Sequence, residues 1–181
     1  YSICESNIKI EDLVDFASKN NFNAIGLTDY KLLSGSLEFS IKCQKAGIQP
    51  ITGIDVDYKS SLDHLTRVTL LSKSEEGFKN INLLSTEINT NNSFLFDINN
   101  IKDFAKDNIL ILGGLYSYFH NISVNEKNLN KILDEIKNLK EIFKSDLYFE
   151  YDSHLNNTLL KEVSLKLEIP LFQSYFNFYK S

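Results

Sequence analysis

The chain has 181 residues, is 43% hydrophobic and carries a formal net charge of −5. That length suits one α/β domain with a sizeable core, and no run approaches the roughly 18 apolar residues of a membrane span. An acidic chain whose only arginine is Arg67 makes a poor DNA-binding surface, which needs a clustered positive field and favours arginine for bidentate contacts.

Apolar residues at 10, 13, 14, 16 and 17 predict a helix over residues 8–20. Residues 23–29 read as a short buried strand ending in Leu-Thr-Asp. Residues 36–46 read as a helix, with Ser34 or Ser36 as N-cap and Gly47 just past its end. Residues 48–58 read as a strand, with Pro50 near its start, where a missing N–H is tolerated. A polar break at 60–63 leads to a β-branched, leucine-rich strand at 66–72. Residues 74–88 read as a helix capped by Ser74, with Glu75 and Glu76 favouring its N-terminal dipole. A polar loop at 89–93, an extended piece at 94–96 and a short helix at 98–106 follow. The apolar strand at 109–112 closes on Gly113-Gly114, read as backbone freedom at a strand end. Residues 126–143 form a long amphipathic helix, 147–152 a strand, 156–167 a helix and 170–173 a last strand. Strands alternating with helices predict parallel strands joined by right-handed crossovers, closed into a barrel more than spread as an open sheet.

Cys4 and Cys43 form no CxxC pair and read as separate thiols in a cytoplasmic chain. The chain begins at Tyr1, contains no methionine and shows no secretory leader, so it reads as a piece of a longer product. Acidic residues stand at the ends of two consecutive strands, Asp29 and Asp55, where α/β folds build their sites. Asp29 either caps the following turn or is a ligand, and Asp55 shares a face with Asp57 by strand alternation. The next residue after Asp29 is Tyr30, a poor metal ligand at neutral pH. Glu150 reads as a hydrogen-bonded residue at the barrel mouth, His154 as a ligand candidate, His64 as solvated and His120 as a loop residue. The aromatics Tyr175, Phe176, Phe178 and Tyr179 read as packing rather than as a base-stacking platform, since no arginine is interleaved with them.

Several segments resemble the PHP domain at the N-terminus of bacterial replicative DNA polymerase III alpha subunits. They are YSICESNIKI at 1–10, IEDLVDFASKNNFNAIGLTD at 10–29, GSLEFSIKCQKAGIQPITGIDV at 35–56, LLSKSEEGFKNINLLST at 70–86, LYFEYDSH at 147–154 and IPLFQSYFNFY at 169–179. The resemblance covers essentially the whole chain. It implies a distorted, TIM-like (βα)7 barrel, with the first strand missing from this chain. It also implies a single PHP domain over 1–181, a fragment of a longer polymerase chain. In intact members, His, Asp, Glu and Cys at strand ends hold a metal cluster that can support phosphoester hydrolysis through metal-bound water.

Carried over residue by residue, that ligand set is dismantled here. The family's Thr-Asp-His is Thr28-Asp29-Tyr30, its Gly-Cys-Glu is Gly53-Ile54-Asp55, and its Ser-Gly-Cys is Gly113-Gly114-Leu115. Its late Glu and His match Glu150 and His154, and its closing Asn-Asp-x-His is Tyr175-Phe176-Asn177-Phe178. Asp29, Asp55, Glu150 and His154 are therefore vestigial metal candidates, and Tyr30, Leu115, Phe176 and Phe178 are lost positions. The expectation is a non-catalytic domain with no catalytic residue and no cofactor of its own. It would brace the polymerase and dock the proofreading exonuclease subunit and other holoenzyme subunits, with little direct DNA contact and no membrane. Nucleotidyl transfer, with Mg, would belong to the rest of the parent chain. The alternative is an active phosphoesterase (proofreading, pyrophosphatase or histidinol-phosphatase-like) using Zn or Mn.

Overall fold

A computed structural model describes residues 8–120 and 125–174, so Cys4, the 175–179 aromatics and the lost positions Phe176 and Phe178 lie outside the described residues. The elements run α1 (Ile10–Lys19), β1 (Ala24–Tyr30), α2 (Ser36–Lys45), β2 (Gln49–Lys59), β3 (Leu65–Ser72), α3 (Glu75–Thr90), β4 (Asn108–Gly113), α4 (Glu126–Phe143), β5 (Leu147–Asp152), α5 (Thr158–Leu167) and β6 (Leu171–Ser174). The short helix expected at 98–106 is one 3-10 turn, Ile101–Phe104.

The strands form one six-stranded sheet in sequence order, β1 to β6. It is curled into a half-barrel. β1 and β2 are parallel, as are β4 with β5 and β5 with β6. The all-parallel expectation fails at β3, which runs antiparallel to both β2 and β4. The reason is the length of the β2–β3 connection: residues 60–64 are too few for a crossover, which takes about a dozen residues or more. They close a hairpin instead, with Ser60 N–H donating to His64 O at 2.9 Å, Asp63 at φ 64° and a Lys59–Asp63 ion pair. Because β3 alone is reversed, the C-terminal ends of β1, β2, β4 and β5 and the N-terminal end of β3 meet at one rim.

Helices cover one face of the sheet. There Ile54, Val56, Tyr58, Val68, Leu70, Leu110, Leu112, Leu147 and Phe149 pack with Ile81 and Leu84 of α3, Ile132 and Ile136 of α4 and Leu160 and Val163 of α5. A second cluster holds α1 and α2 against β1 through Ile10, Val14, Ala17, Phe39 and Cys43, with Ile25 and Leu27 beside them. α1 earns this place by its spacing, which puts Ile10, Val14 and Ala17 on one buried stripe. The caps follow the sequence in part. Ser74 Oγ accepts from Gly77 N–H at 3.2 Å, and Gly47 at φ 69° ends α2. The N-cap of α2, however, is Gly35, between the two expected serines and without a side-chain bond.

One buried carboxylate ties the hairpin to the helix layer. Glu135 of α4 is 4% exposed and accepts from Tyr58 Oη at 2.7 Å, Ser61 N–H at 3.0 Å and Ser61 Oγ at 2.7 Å. Three donors on one carboxylate offset much of the cost of burying it.

Gly113 ends β4 at φ 119°, and a Cβ there would lie 2.0 Å from the Glu150 carbonyl oxygen. Both the backbone and the space demand glycine. Gly113→Ala is expected to destabilise the fold by about 2 kcal/mol or more, read as a lower denaturation midpoint.

Candidate functional site

The face of the sheet away from the helices carries the polar side chains of the rim. Strand alternation places Asp55 and Asp57 of β2 on that face, because Ile54, Val56 and Tyr58 are buried on the other. The register then fixes their neighbours. Tyr30 stands opposite Asp55, while Asp57 stands opposite Arg67 and Asp55 opposite Thr69. Gly113 pairs with Glu150 across β4 and β5. Tyr30, Asp55, Asp57, Arg67, Thr69 and Glu150 therefore share one surface.

Asp29 does not join them. It pairs with Ile54, whose side chain lies in the helix-side core. Asp29 is itself 4% exposed, and its Oδ2 is 3.2 Å from where a Cβ on Gly35 would sit, beside Ile10 and Leu27. The two carboxylates at consecutive strand ends thus occupy opposite faces of the sheet. His154 is exposed in the turn after β5, where its backbone N–H donates to Asp152 Oδ1 at 2.8 Å. Leu115 lies half-buried in the turn after β4.

Two of the carboxylates that share the rim, Asp55 and Asp57, are already engaged. Tyr30 Oη donates to Asp57 Oδ2 at 2.6 Å, and the Lys31 ammonium lies 2.7 Å from the same oxygen. Thr69 Oγ1 donates to Asp55 Oδ1 at 2.6 Å. The Arg67 guanidinium is clamped between two rings, 4.0 Å from the Tyr30 centroid and 4.1 Å from that of Tyr116. Tyr116 belongs to the turn after β4, so the clamp joins β1, β3 and that turn.

The electrostatics follow from these contacts. Burial alone would push the Asp57 carboxyl up, but hydrogen bonds from Lys31 and Tyr30 and the charges of Lys31 and Arg67 hold it below its ordinary value. Burial likewise opposes the Lys31 charge, and its bonds to Asp57 and Tyr30 outweigh it and raise the ammonium. Glu150 has no such support: burial first, then the Asp55 and Asp152 charges, raise its pKa from 4.5 to about 7. No hydrogen bond reaches its carboxyl among the described residues.

A metal fits this donor set poorly. Among the described residues, no three His, Cys, Asp or Glu side chains stand close enough to hold one. Asp57 and Asp55 spend oxygens on Tyr30, Lys31 and Thr69, and Arg67 and Lys31 already place positive charge at the rim. Sequence reasoning missed Lys31, Arg67, Thr69 and Tyr116 as rim residues. Only Asp57 carried a legible signal, its two-residue spacing from Asp55.

The family model for the PHP domain matches residues 1–154. The DNA polymerase III subunit alpha of Rickettsia felis is 41% identical over 92 residues, covering 51% of this chain and 8% of that protein. The subunit of the same name from Aquifex aeolicus is 28% identical over 197 residues, covering 97% of this chain and 16% of that protein. The chain therefore spans well under a fifth of these relatives' length. Among solved structures, an amidohydrolase from Chromobacterium violaceum, with bound sulfate and no metal, superposes with a TM-score of 0.59 at 9% identity, covering all of this chain and 86% of that one. That likeness concerns the fold and agrees with a TIM-like barrel architecture.

The Glu150 environment has a measurable consequence. Its folded-state pKa of about 7 lies above the ordinary 4.5, so between those values the folded chain holds a proton that the unfolded chain releases. Its contribution to stability is complete below the unfolded value and is lost as pH rises to the folded one. Glu150→Gln is expected to match the natural residue at about pH 4 and to raise the unfolding midpoint by a few degrees at about pH 8. Thermal melts across that range check it.

Proposed function

The chain belongs to the PHP domain family, and on that premise we propose that it is the PHP domain of a replicative DNA polymerase III alpha subunit. In this reading it has lost the family's metal chemistry and serves as a brace. The observation that carries the proposal is the combination of a family match over residues 1–154 with rim carboxylates committed to internal hydrogen bonds and ion pairs. A phosphoesterase needs open metal positions and a bound water. Side chains that already satisfy one another offer neither.

The finer parts of the proposal follow the same logic. The domain forms part of a (βα)7 barrel, and it has no catalytic residue and no resident metal of its own. Nucleotidyl transfer, with Mg, falls to later parts of a longer, cytoplasmic parent chain, consistent with the 8% and 16% of their relatives' length that the matched segments span. No helix among the described residues is long and apolar enough to cross a membrane. Its partners are the rest of its own chain, the proofreading exonuclease subunit and other holoenzyme subunits, with little direct DNA contact from an acidic domain carrying one arginine.

The test is made on the full-length natural chain. Purified without added metal, it is expected to extend a primer with Mg and to retain less than about one equivalent of Zn, Mn or Fe attributable to this domain. Phosphodiester or pyrophosphate hydrolysis that survives loss of the polymerase carboxylates, and that His154→Ala abolishes, would establish the phosphoesterase alternative instead.

A further inference from the structure

We infer that Arg67, held between Tyr30 and Tyr116, is a built-in cation that ties the strand ends together at this rim. The inference rests on the non-catalytic reading above and names the residues that make it work.

A metal cluster at strand ends does two things: it neutralises convergent carboxylates and it cross-links the strands that carry them. Both tasks are met here by side chains of the chain itself. Charge neutralisation falls to Arg67 and Lys31. Arg67 stands directly across the β2–β3 ladder from Asp57, and Lys31 touches the Asp57 carboxylate at 2.7 Å. Cross-linking falls to the stacked guanidinium. Its two faces meet Tyr30 from β1 and Tyr116 from the turn after β4, at 4.0 and 4.1 Å, while its backbone belongs to β3. The backbone reinforces the same joint, since Arg67 N–H donates to Tyr116 O at 3.3 Å.

Tyr30 has a specific part in this. Its hydroxyl donates to Asp57 while its ring supports Arg67, so one side chain holds both partners of the opposite charges. A histidine at that position would present a shorter, smaller ring. Arginine rather than lysine is required at 67, because only a planar guanidinium can stack on two faces at once. A divalent ion brought to this rim would meet two fixed positive charges and carboxylate oxygens that already accept hydrogen bonds.

The test is hydrogen exchange by mass spectrometry on the full-length chain, which reports the rim separately from other domains. Arg67→Gln is expected to speed exchange about tenfold or more in peptides covering β1 and the 114–117 turn, leaving the middle of α4 unchanged. Arg67→Lys is expected to restore less than half of the lost protection. In the natural chain, EDTA and excess Zn or Mn are expected to leave those peptides unchanged. If Arg67→Gln does not fold, Tyr116→Ala, at a 43% exposed residue, removes one face of the clamp and is expected to speed exchange in the β1 peptide. Protection within about twofold of the natural chain in Arg67→Gln or Tyr116→Ala, or rim protection lost on chelation, would overturn the inference. Metal-sensitive protection without hydrolysis would leave the non-catalytic reading standing, whereas hydrolysis would remove that reading itself.

Discussion

Everything at the rim depends on the shortness of the connection between β2 and β3. Five residues, 60–64, cannot cross a sheet, so the chain turns back and β3 runs against its neighbours. The reversal brings the start of β3, and with it Arg67, to the end of the sheet where the other strands finish. Had β3 been parallel, the opposite end of that strand would have faced Asp57. The hairpin is itself fixed by Glu135, which takes bonds from Tyr58 and from both the backbone and the side chain of Ser61. A buried carboxylate on α4 thus supports the geometry that places a guanidinium on the opposite face.

The two faces of the sheet divide the work. The helix side carries a continuous apolar core that includes Ile54, Val56, Leu70, Leu110 and Phe149, all fully buried. Each such side chain contributes about 1.5–3 kcal/mol of hydrophobic stabilisation against the entropy of ordering the chain. The other face holds the charged residues, only partly covered, where the local field decides which of them ionise. Asp57 is held charged by Lys31, Tyr30 and Arg67, while burial and then the Asp55 and Asp152 charges raise the Glu150 pKa to about 7. Two carboxyls on one surface are thus driven apart in acidity: burial raises both, and only Asp57 has cationic and hydrogen-bonding partners that outweigh it. Such a surface is self-contained, which suits a brace better than a centre that must admit substrate and water.

The helices and strands were largely legible because hydrophobic period reports them directly. The α1 stripe, the Ser74 cap and the alternation in β2 all follow from neighbouring residues in sequence. The direction of β3 was legible too in principle, since a polar break of a few residues signals a hairpin more than a crossover. The alternation of helices and strands elsewhere outweighed that local signal. The charge of Asp55 acting on Glu150 was not legible, because no local pattern records which distant strands bring the two together.

The sequence by itself determined the α/β class, the family and the residue types at the strand ends, among them Tyr30 after Asp29 and Leu115 after Gly113-Gly114. These depend on which residue stands at a given place along the chain. Only the tertiary structure decided that Asp29 and Asp55 face opposite sides of the sheet, and that Arg67 and Lys31 supply the charge at the rim. Those facts depend on register: in a strand pairing, one step moves a side chain to the other face, and register is set by contacts between residues far apart in sequence. Arg67 was visible from the outset as the single arginine of an acidic chain. Its clamp between Tyr30 and Tyr116 exists only once three strands and a turn have been brought together.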